Sequence, residues 1–302
     1  QRFKQSLSDR EDMPFFDEDD LVAIYDYAGD YDDDYVRLEV LFYAARYYPD
    51  SMPLSDRRAI YYQTYSDDMR DSYLFDNTAQ ESLIMNILRL RALNPQGEEA
   101  RRLLDGIVER FDNMDDEEVI QLADAASAIG QVEWLIDRID VLRGKTDYLA
   151  TLLYEMDVVF EMNNRYDLSR KVLEELTMIE PFNVDMWRLM AQCYLKLEEY
   201  AEGISAVEYA LAIDPSDRDA LVIKAELLFR ADSQKGAPEA AAILEPIVMS
   251  DYSNIDMADA LLQCYGAMDD TTKIAALVDL VGRHVPESEW VVNCNLIYNP
   301  DN

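Results

Sequence analysis

"VDMWRLMAQCYLKLEEYAEGISAVEYALAIDPSD", residues 184–217, contains two apolar stripes separated by a short polar "LEE" turn. The stripes run through Trp187, Met190, Ala191 and Tyr194, and then through Ile204, Val207 and Leu211. A spacing of three and four residues places side chains on one face of a helix. The stretch therefore predicts two amphipathic helices that pack against each other as a hairpin.

The preceding 34 residues repeat this pattern. Residues 150–183 read "ATLLYEMDVVFEMNNRYDLSRKVLEELTMIEPFN", and without gaps Tyr166 aligns with Tyr200 and Pro181 with Pro215. Because proline cannot continue a helix as an interior residue, each of these two prolines marks the passage to the next hairpin. A period of this length indicates stacked structural repeats.

The residues at the key positions of 184–217 resemble the consensus of the tetratricopeptide repeat (TPR) family. They are Trp187, Met190, Ala191, Tyr194, Gly203, Val207, Ala210 and Pro215. Where they depart from the consensus, they conserve the type of packing: small residues allow helices to approach, and large ones fill the layers between them. The resemblance implies an all-α fold, a right-handed α-solenoid of stacked TPR helix hairpins.

Fainter copies of the repeat extend in both directions. They cover residues 52–77, 78–113, 116–149, 218–251 and 255–288, with an insertion of about three residues in "RADSQKGAPEA" by the family spacing. Residues 17–51 resemble a repeat near the start of many bacterial TPR proteins, ending in "YPDS". We therefore predict an N-terminal extension at 1–17, a solenoid of about eight hairpins at 18–288, clearest at 150–217, and a C-terminal cap or tail at 289–302.

Two acidic stretches invite a metal-site interpretation. In "DYDDDYVRLE", residues 30–39, Asp30, Asp32 and Asp34 match an EF-hand loop. The sixth position, however, is Tyr35 rather than Gly, and the twelfth is Leu41 rather than Glu. Alignment of "GDYDDD" with "NRYDLS" and "EEYAEG" instead predicts a turn and an acidic helix start, with Tyr31 packed beneath it as Tyr166 and Tyr200 are. "NMDDEE", residues 113–118, likewise predicts a loop and a helix N-cap.

The charge narrows the class of partner. With 62 acidic and 27 basic residues, the formal net charge is −35. Such a surface repels nucleic acid and anionic membranes and favours a basic or amphipathic protein or peptide. No apolar run reaches the roughly 20 residues that a membrane helix needs, so we expect no membrane insertion.

No residue pattern indicates catalysis or a cofactor. The three cysteines are widely separated, with no CxxC pair, and they favour a reducing compartment, hence a cytoplasmic location. The single histidine, His284, lies near a predicted helix end before Pro286, and no phosphate loop accompanies it. We predict a non-enzyme without cofactor or metal. An acidic-site hydrolase built on two carboxylates, and a cell-envelope subunit whose leader preceded Gln1, are open alternatives.

TPR proteins usually bind extended or helical segments in a concave groove lined by the first helix of each repeat. The resemblance places these candidate groove residues at Tyr154, Val158, Glu161, Arg188, Gln192, Lys196, Val222, Glu226, Phe229, Asp259 and Gln263. Apolar members would hold apolar side chains, and carboxylates would meet Lys or Arg on the ligand. A clamp for a chaperone C-terminus is disfavoured, since Asp185, Glu226 and Asp259 surround the two cations Arg188 and Lys196.

Overall fold

The computed structural model describes residues 3, 15–76 and 82–298. Most of the predicted N-terminal extension, the segment 77–81 and the last four residues of the predicted tail lie outside them. The chain divides into two compact units, Gln1–Leu152 and Leu153–Asn302. Within the described residues the regular elements are helices, apart from one bridge between Met114 and Thr146. The predicted fold class, an all-α solenoid of helix hairpins, is confirmed.

The helices of the first unit are α1 (Glu18–Gly29), α2 (Asp34–Tyr47), α3 (Met52–Tyr65), α4 (Asp67–Asp76), α5 (Leu83–Leu93), α6 (Gly97–Arg110), α7 (Asp116–Ala128), α8 (Val132–Asp137) and α9 (Ile139–Arg143). The helices from the unit boundary onward are α10 (Leu149–Met162), α11 (Tyr166–Ile179), α12 (Val184–Lys196), α13 (Tyr200–Ile213), α14 (Arg218–Ala231), α15 (Ser233–Ser250), α16 (Ile255–Ala267), α17 (Thr271–His284) and α18 (Glu289–Tyr298). No helix within 15–76 and 82–298 is long and apolar enough to cross a membrane.

A common turn joins the two helices of several hairpins. One residue adopts a left-handed conformation two positions before the second helix: Asp32, Gly130, Asn164, Glu198 and Asp269. The next N–H bonds to a carbonyl five residues earlier, as in Arg165 to Phe160 at 2.7 Å and Glu199 to Tyr194 at 2.9 Å. This is the Schellman arrangement, which satisfies carbonyls that the helix end leaves free.

The shared turn corrects the predicted register of the first hairpin. Because Asp32 is the counterpart of Asn164, the residue matching Tyr166 is Asp34 rather than Tyr31. Tyr31 is 68% exposed and lies against Tyr27, with ring centroids 4.8 Å apart. The prediction that Tyr31 packs beneath the turn is therefore wrong.

Both acidic stretches act as helix caps. The Asp33 carboxylate accepts a hydrogen bond from the backbone N–H of Val36 at 3.3 Å and starts α2. Asp115 starts α7 in a capping box: its carboxylate accepts a hydrogen bond from the backbone N–H of Glu118, and the Glu118 carboxylate accepts one from the backbone N–H of Asp115. The described parts of the chain contain no group of three or more His, Cys, Asp or Glu side chains that could hold a metal ion.

The fourth hairpin of the first unit has a broken second helix. Two short helices, α8 and α9, meet at Arg138. Fully buried Trp134 donates its indole N–H to Asp105 of α6 at 2.8 Å, and the Arg138 guanidinium bonds both oxygens of the same carboxylate. These contacts fix the break by bonding the α8–α9 junction to the preceding hairpin.

The insertion in residues 218–251 lengthens α15, which has 18 residues whereas α13 has 14. Asp232 ends α14 and at once caps α15, its carboxylate accepting from the N–H of Lys235 at 3.1 Å. Gly236 then lies so close to α14 that a Cβ there would be 2.0 Å from the carbonyl oxygen of Leu228. Glycine is therefore required where the two helices meet.

We expect Gly236→Ala to lower the free energy of unfolding by about 2–4 kcal/mol, because backbone atoms rather than a side chain must move to admit the methyl group. Urea denaturation followed by circular dichroism measures it. Gly266→Ala is the matched control: nothing lies within 4 Å of its Cβ position, so alanine should be neutral or stabilising by about 0.5 kcal/mol. Equal effects of the two changes would contradict the close approach.

Candidate functional site

Four of the predicted groove residues line one cavity of about 250 Å³ in the second unit. Val222, Glu226 and Phe229 belong to α14, and Gln263 belongs to α16. Apolar residues complete much of its wall, namely Ala225, Leu244, Met257, Ala260 and Cys264. The predicted positions on two successive first helices thus converge on a single apolar cavity.

The rim of this α14–α16 cavity is charged. Glu226, Arg230 and Asp256 line it together with the apolar wall. Arg230 Nη2 lies 3.5 Å from Glu226 Oε1, and both side chains are largely exposed, so this ion pair holds little energy. An apolar depression with two carboxylates beside it suits an apolar side chain flanked by positive charge.

Asp259 does not line this cavity, although it was a predicted groove residue. Its Oδ1 accepts a hydrogen bond from the Trp290 indole N–H at 2.7 Å, and its Oδ2 accepts from Gln263 Nε2 at 2.7 Å. Trp290 belongs to α18, whose Val291 and Cys294 are buried in the same apolar core as Val281 of α17. Asp259 therefore joins the C-terminal helix to α16.

Arg188 is already surrounded by carboxylates of its own chain. Its guanidinium lies 2.6 Å from an oxygen of Asp185, 3.1 Å from Asp217 and 3.6 Å from Asp219. Two of these partners belong to α14 or its N-cap, so the guanidinium joins α12 to the next hairpin. This arrangement favours a structural role for Arg188 over the capture of an anionic ligand.

The other predicted groove residues do not line the α14–α16 cavity. Tyr154 and Lys196 are exposed, whereas Val158, Glu161 and Gln192 are half-buried. Burial raises the pKa of Glu161, and the nearby Lys196 ammonium partly opposes that rise. These five residues stay candidates for an extended contact surface along α10 and α12.

A buried polar cluster that the sequence did not indicate is formed by side chains of α10, α11 and α12. Asp157 of α10 is only 1% exposed, and its carboxyl accepts a hydrogen bond from the Ser169 hydroxyl of α11. Burial raises the pKa of Asp157 to about 7, the Ser169 hydrogen bond opposes that rise, and neighbouring Glu161 adds to it. Cys193 of α12 is also buried, and burial raises the pKa of its thiol to about 11. The sequence signal for this cluster is a single aspartate, Asp157, inside the apolar stripe that contains Met156 and Val159.

The first unit contains a larger acidic cavity, of about 750 Å³. Its lining includes Asp56 and Glu118, whose pKa values burial raises, that of Asp56 to about 6. Paired carboxylates with raised pKa values are what an acidic hydrolase would need. Each has a structural bond, however: Asp56 accepts from the hydroxyl of Ser82, the α5 N-cap, and Glu118 closes the capping box of Asp115. Contacts at the starts of α5 and α7 therefore account for both positions.

The comparisons with known proteins identify the fold. No known protein-family model matches the chain. The structure is similar to the C-terminal part of a TPR repeat-containing protein from Cytophaga hutchinsonii, with a TM-score of 0.58 and 11% identity, covering 90% of this chain and 98% of that one. It is also similar to YrrB, described as a TPR protein with an unusual peptide-binding site, with a TM-score of 0.47 and 17% identity over 60% of this chain and 92% of YrrB. The first likeness shows that this chain has the tetratricopeptide-repeat fold.

One curated protein matches a part of the sequence. Transcription factor tau subunit sfc4 of Schizosaccharomyces pombe is 31% identical over 94 residues, which make up 31% of this chain. The chain spans about 9% of the length of that relative. The similarity is therefore confined to a short segment, and the bacterial origin expected from residues 17–51 stays a prediction.

The buried carboxyl of Asp157 predicts a pH-dependent stability. An unfolded aspartate ionises near pH 4, whereas this one ionises near pH 7 when folded, so its burial costs stability progressively as the pH rises between the two values. Asp157→Asn cannot ionise. We expect the difference in unfolding free energy between the variant and the wild type to rise in the variant's favour by about 2–4 kcal/mol as the pH increases from 4 to 8.

Urea denaturation at several pH values measures this difference, and Glu287→Gln, on an exposed residue, is the control. A difference between the Asp157 variant and the wild type that stays constant with pH would contradict the raised pKa.

Proposed function

We propose that this chain is a non-enzymatic scaffold that binds a protein or peptide segment on the surface formed by the first helices of its second unit. The observation that carries the proposal is the α14–α16 cavity, in which Val222, Glu226, Phe229 and Gln263 meet around an apolar depression. The tetratricopeptide-repeat fold supports the same assignment, since stacked repeats produce extended binding surfaces.

The partner's chemistry follows from the charge around the cavity. Glu226 and Asp256 lie at the rim, and the whole chain carries a formal charge of −35. Such a surface favours a basic or amphipathic segment, with an apolar side chain inserted beside Phe229 and a lysine or arginine facing the carboxylates. The same charge opposes binding of nucleic acid, whose phosphates it would repel.

Selection of a random peptide display library on the intact chain would test the proposal. We expect enriched peptides to combine an apolar residue with Lys or Arg. Phe229→Ala should weaken their binding about tenfold or more, because it removes the largest apolar wall of the cavity, and Glu226→Lys should weaken it by reversing the rim charge. Fluorescence anisotropy of labelled peptides gives the dissociation constants.

Phe182→Ala is the matched control, since Phe182 is 84% exposed and lies outside the cavity. It should change the dissociation constant less than about twofold. Peptides that bind the Phe229 variant and the wild type equally would show that the α14–α16 cavity is not the anchor.

A further inference from the structure

A second apolar cleft of the second unit lies on the side of the second helices, away from the α14–α16 cavity. This α11–α13 cleft has a volume of about 500 Å³ and is lined by Glu174, Thr177, Met178, Trp187, Met190, Tyr194, Glu202, Ser205, Ala206 and Tyr209. Two of its apolar side chains are largely exposed: Met178 is 74% exposed and Tyr209 58%. Large exposed apolar patches often mark interaction sites.

Aromatic rings form one part of the cleft. The rings of Trp187 and Tyr209 stack with centroids 4.5 Å apart and planes inclined by 22°. The Trp187 indole N–H donates to the carbonyl oxygen of Pro181 at 2.9 Å, which fixes the ring in place. A fixed aromatic pair beside solvent offers a surface on which a cation and its aliphatic stem can pack.

The charge of the cleft lining is negative. Glu174 and Glu202 come from the two second helices, α11 and α13, and no lysine or arginine belongs to the lining. Arg170 Nε lies 3.9 Å from Glu174, but its Nη1 donates to both oxygens of Glu199 at 2.9 and 3.0 Å. The described residues show no ion pair that involves Glu202.

The repeat provides two equivalent sites for comparison, one between α13 and α15 and one between α15 and α17. Glu202, Glu239 and Lys273 each lie eleven residues before the end of their helices, α13, α15 and α17. Glu174, Glu208 and Glu245 each lie five residues before the end of their helices, α11, α13 and α15. Nine lining residues of the cleft between α15 and α17 lie 71 positions after nine of the α11–α13 cleft, so the two clefts are the same structural site in different repeats.

At both equivalent sites a lysine of the chain neutralises the glutamates. Between α13 and α15, Lys224 Nζ lies 3.2 Å from Glu208 and 3.5 Å from Glu239. Between α15 and α17, Lys273 Nζ lies 2.7 Å from Glu245 and holds the pKa of that carboxyl below its usual range. In the α11–α13 cleft the corresponding positions are Met190 and Glu202, so no internal lysine is supplied.

We propose that the α11–α13 cleft binds a lysine or arginine side chain of a partner protein, whose positive charge takes the place that Lys224 and Lys273 hold at the equivalent sites. The stem of that side chain packs on Met178 and the Trp187–Tyr209 pair, and its cationic group lies between Glu174 and Glu202. A second copy of this chain is a poor occupant, because two chains of charge −35 repel each other.

A short peptide titration of the intact chain tests the assignment. The probe is acetyl-Leu-Arg-Leu-amide, and its control replaces arginine by citrulline, which has nearly the same shape but no charge. The indole N–H signals of a ¹⁵N-labelled protein report the location, since Trp187 lies in the cleft while Trp134 and Trp290 lie elsewhere. We expect a saturable shift of the Trp187 signal alone, with the citrulline peptide binding about fivefold more weakly or worse.

Glu202→Lys should reproduce the internal pairing seen at Lys273 and weaken binding of the arginine peptide about fivefold or more. Glu287→Lys, with the same change in net charge on an exposed residue, should change it less than about twofold. Unchanged Trp134 and Trp290 signals confirm that each variant is folded.

Three results would overturn the proposal: no shift of the Trp187 signal, equal binding of the citrulline peptide, or equal weakening by the two lysine variants. The last would mean that net charge alone attracts the peptide. Because Phe229→Ala leaves this cleft intact, the result is separable from the test of the α14–α16 cavity.

Discussion

The hairpin turn is the constraint on which the rest of the structure depends. Its left-handed residue and the hydrogen bond that follows fix the start of the second helix two positions later, at Tyr166, Tyr200 and Thr271 alike. Once that start is fixed, residues one or two repeats apart return to the same place on the stack. This is why Glu202 and Lys273, each two residues after such a start, can be compared as members of one site, although only the turn and the packing residues need to be similar.

Salt bridges between successive repeats neutralise some carboxylates of the chain and leave others. Arg188 gathers carboxylates of α12 and α14, Lys224 joins α13 to α15, and Lys273 joins α15 to α17. With 62 acidic residues the chain cannot neutralise every carboxylate in this way. The positions of these cations therefore determine which glutamates of the chain are left for other charges.

The sequence predicted the helices well where apolar spacing and closing prolines agree, as at 150–217. It failed at Tyr31, because in an acidic stretch any of several aspartates can adopt the left-handed conformation, and Asp32 rather than a neighbour does so. It missed the contact between Trp290 and Asp259, since the partner lies 31 residues away on a helix outside the repeat. Periodicity predicts which face a side chain lies on, but not which distant donor reaches it.

The two proposed binding surfaces lie where repeats depart from one another. The α14–α16 cavity lies beside the hairpin whose second helix is lengthened to 18 residues. The α11–α13 cleft has Met190 at the position that Lys224 holds at one equivalent site, and Glu202 at the position that Lys273 holds at the other. A strictly regular solenoid would neutralise each cleft in the same way and would bind a ligand equally along its length. Differences between otherwise equivalent positions are therefore the physical basis for binding one segment at one place.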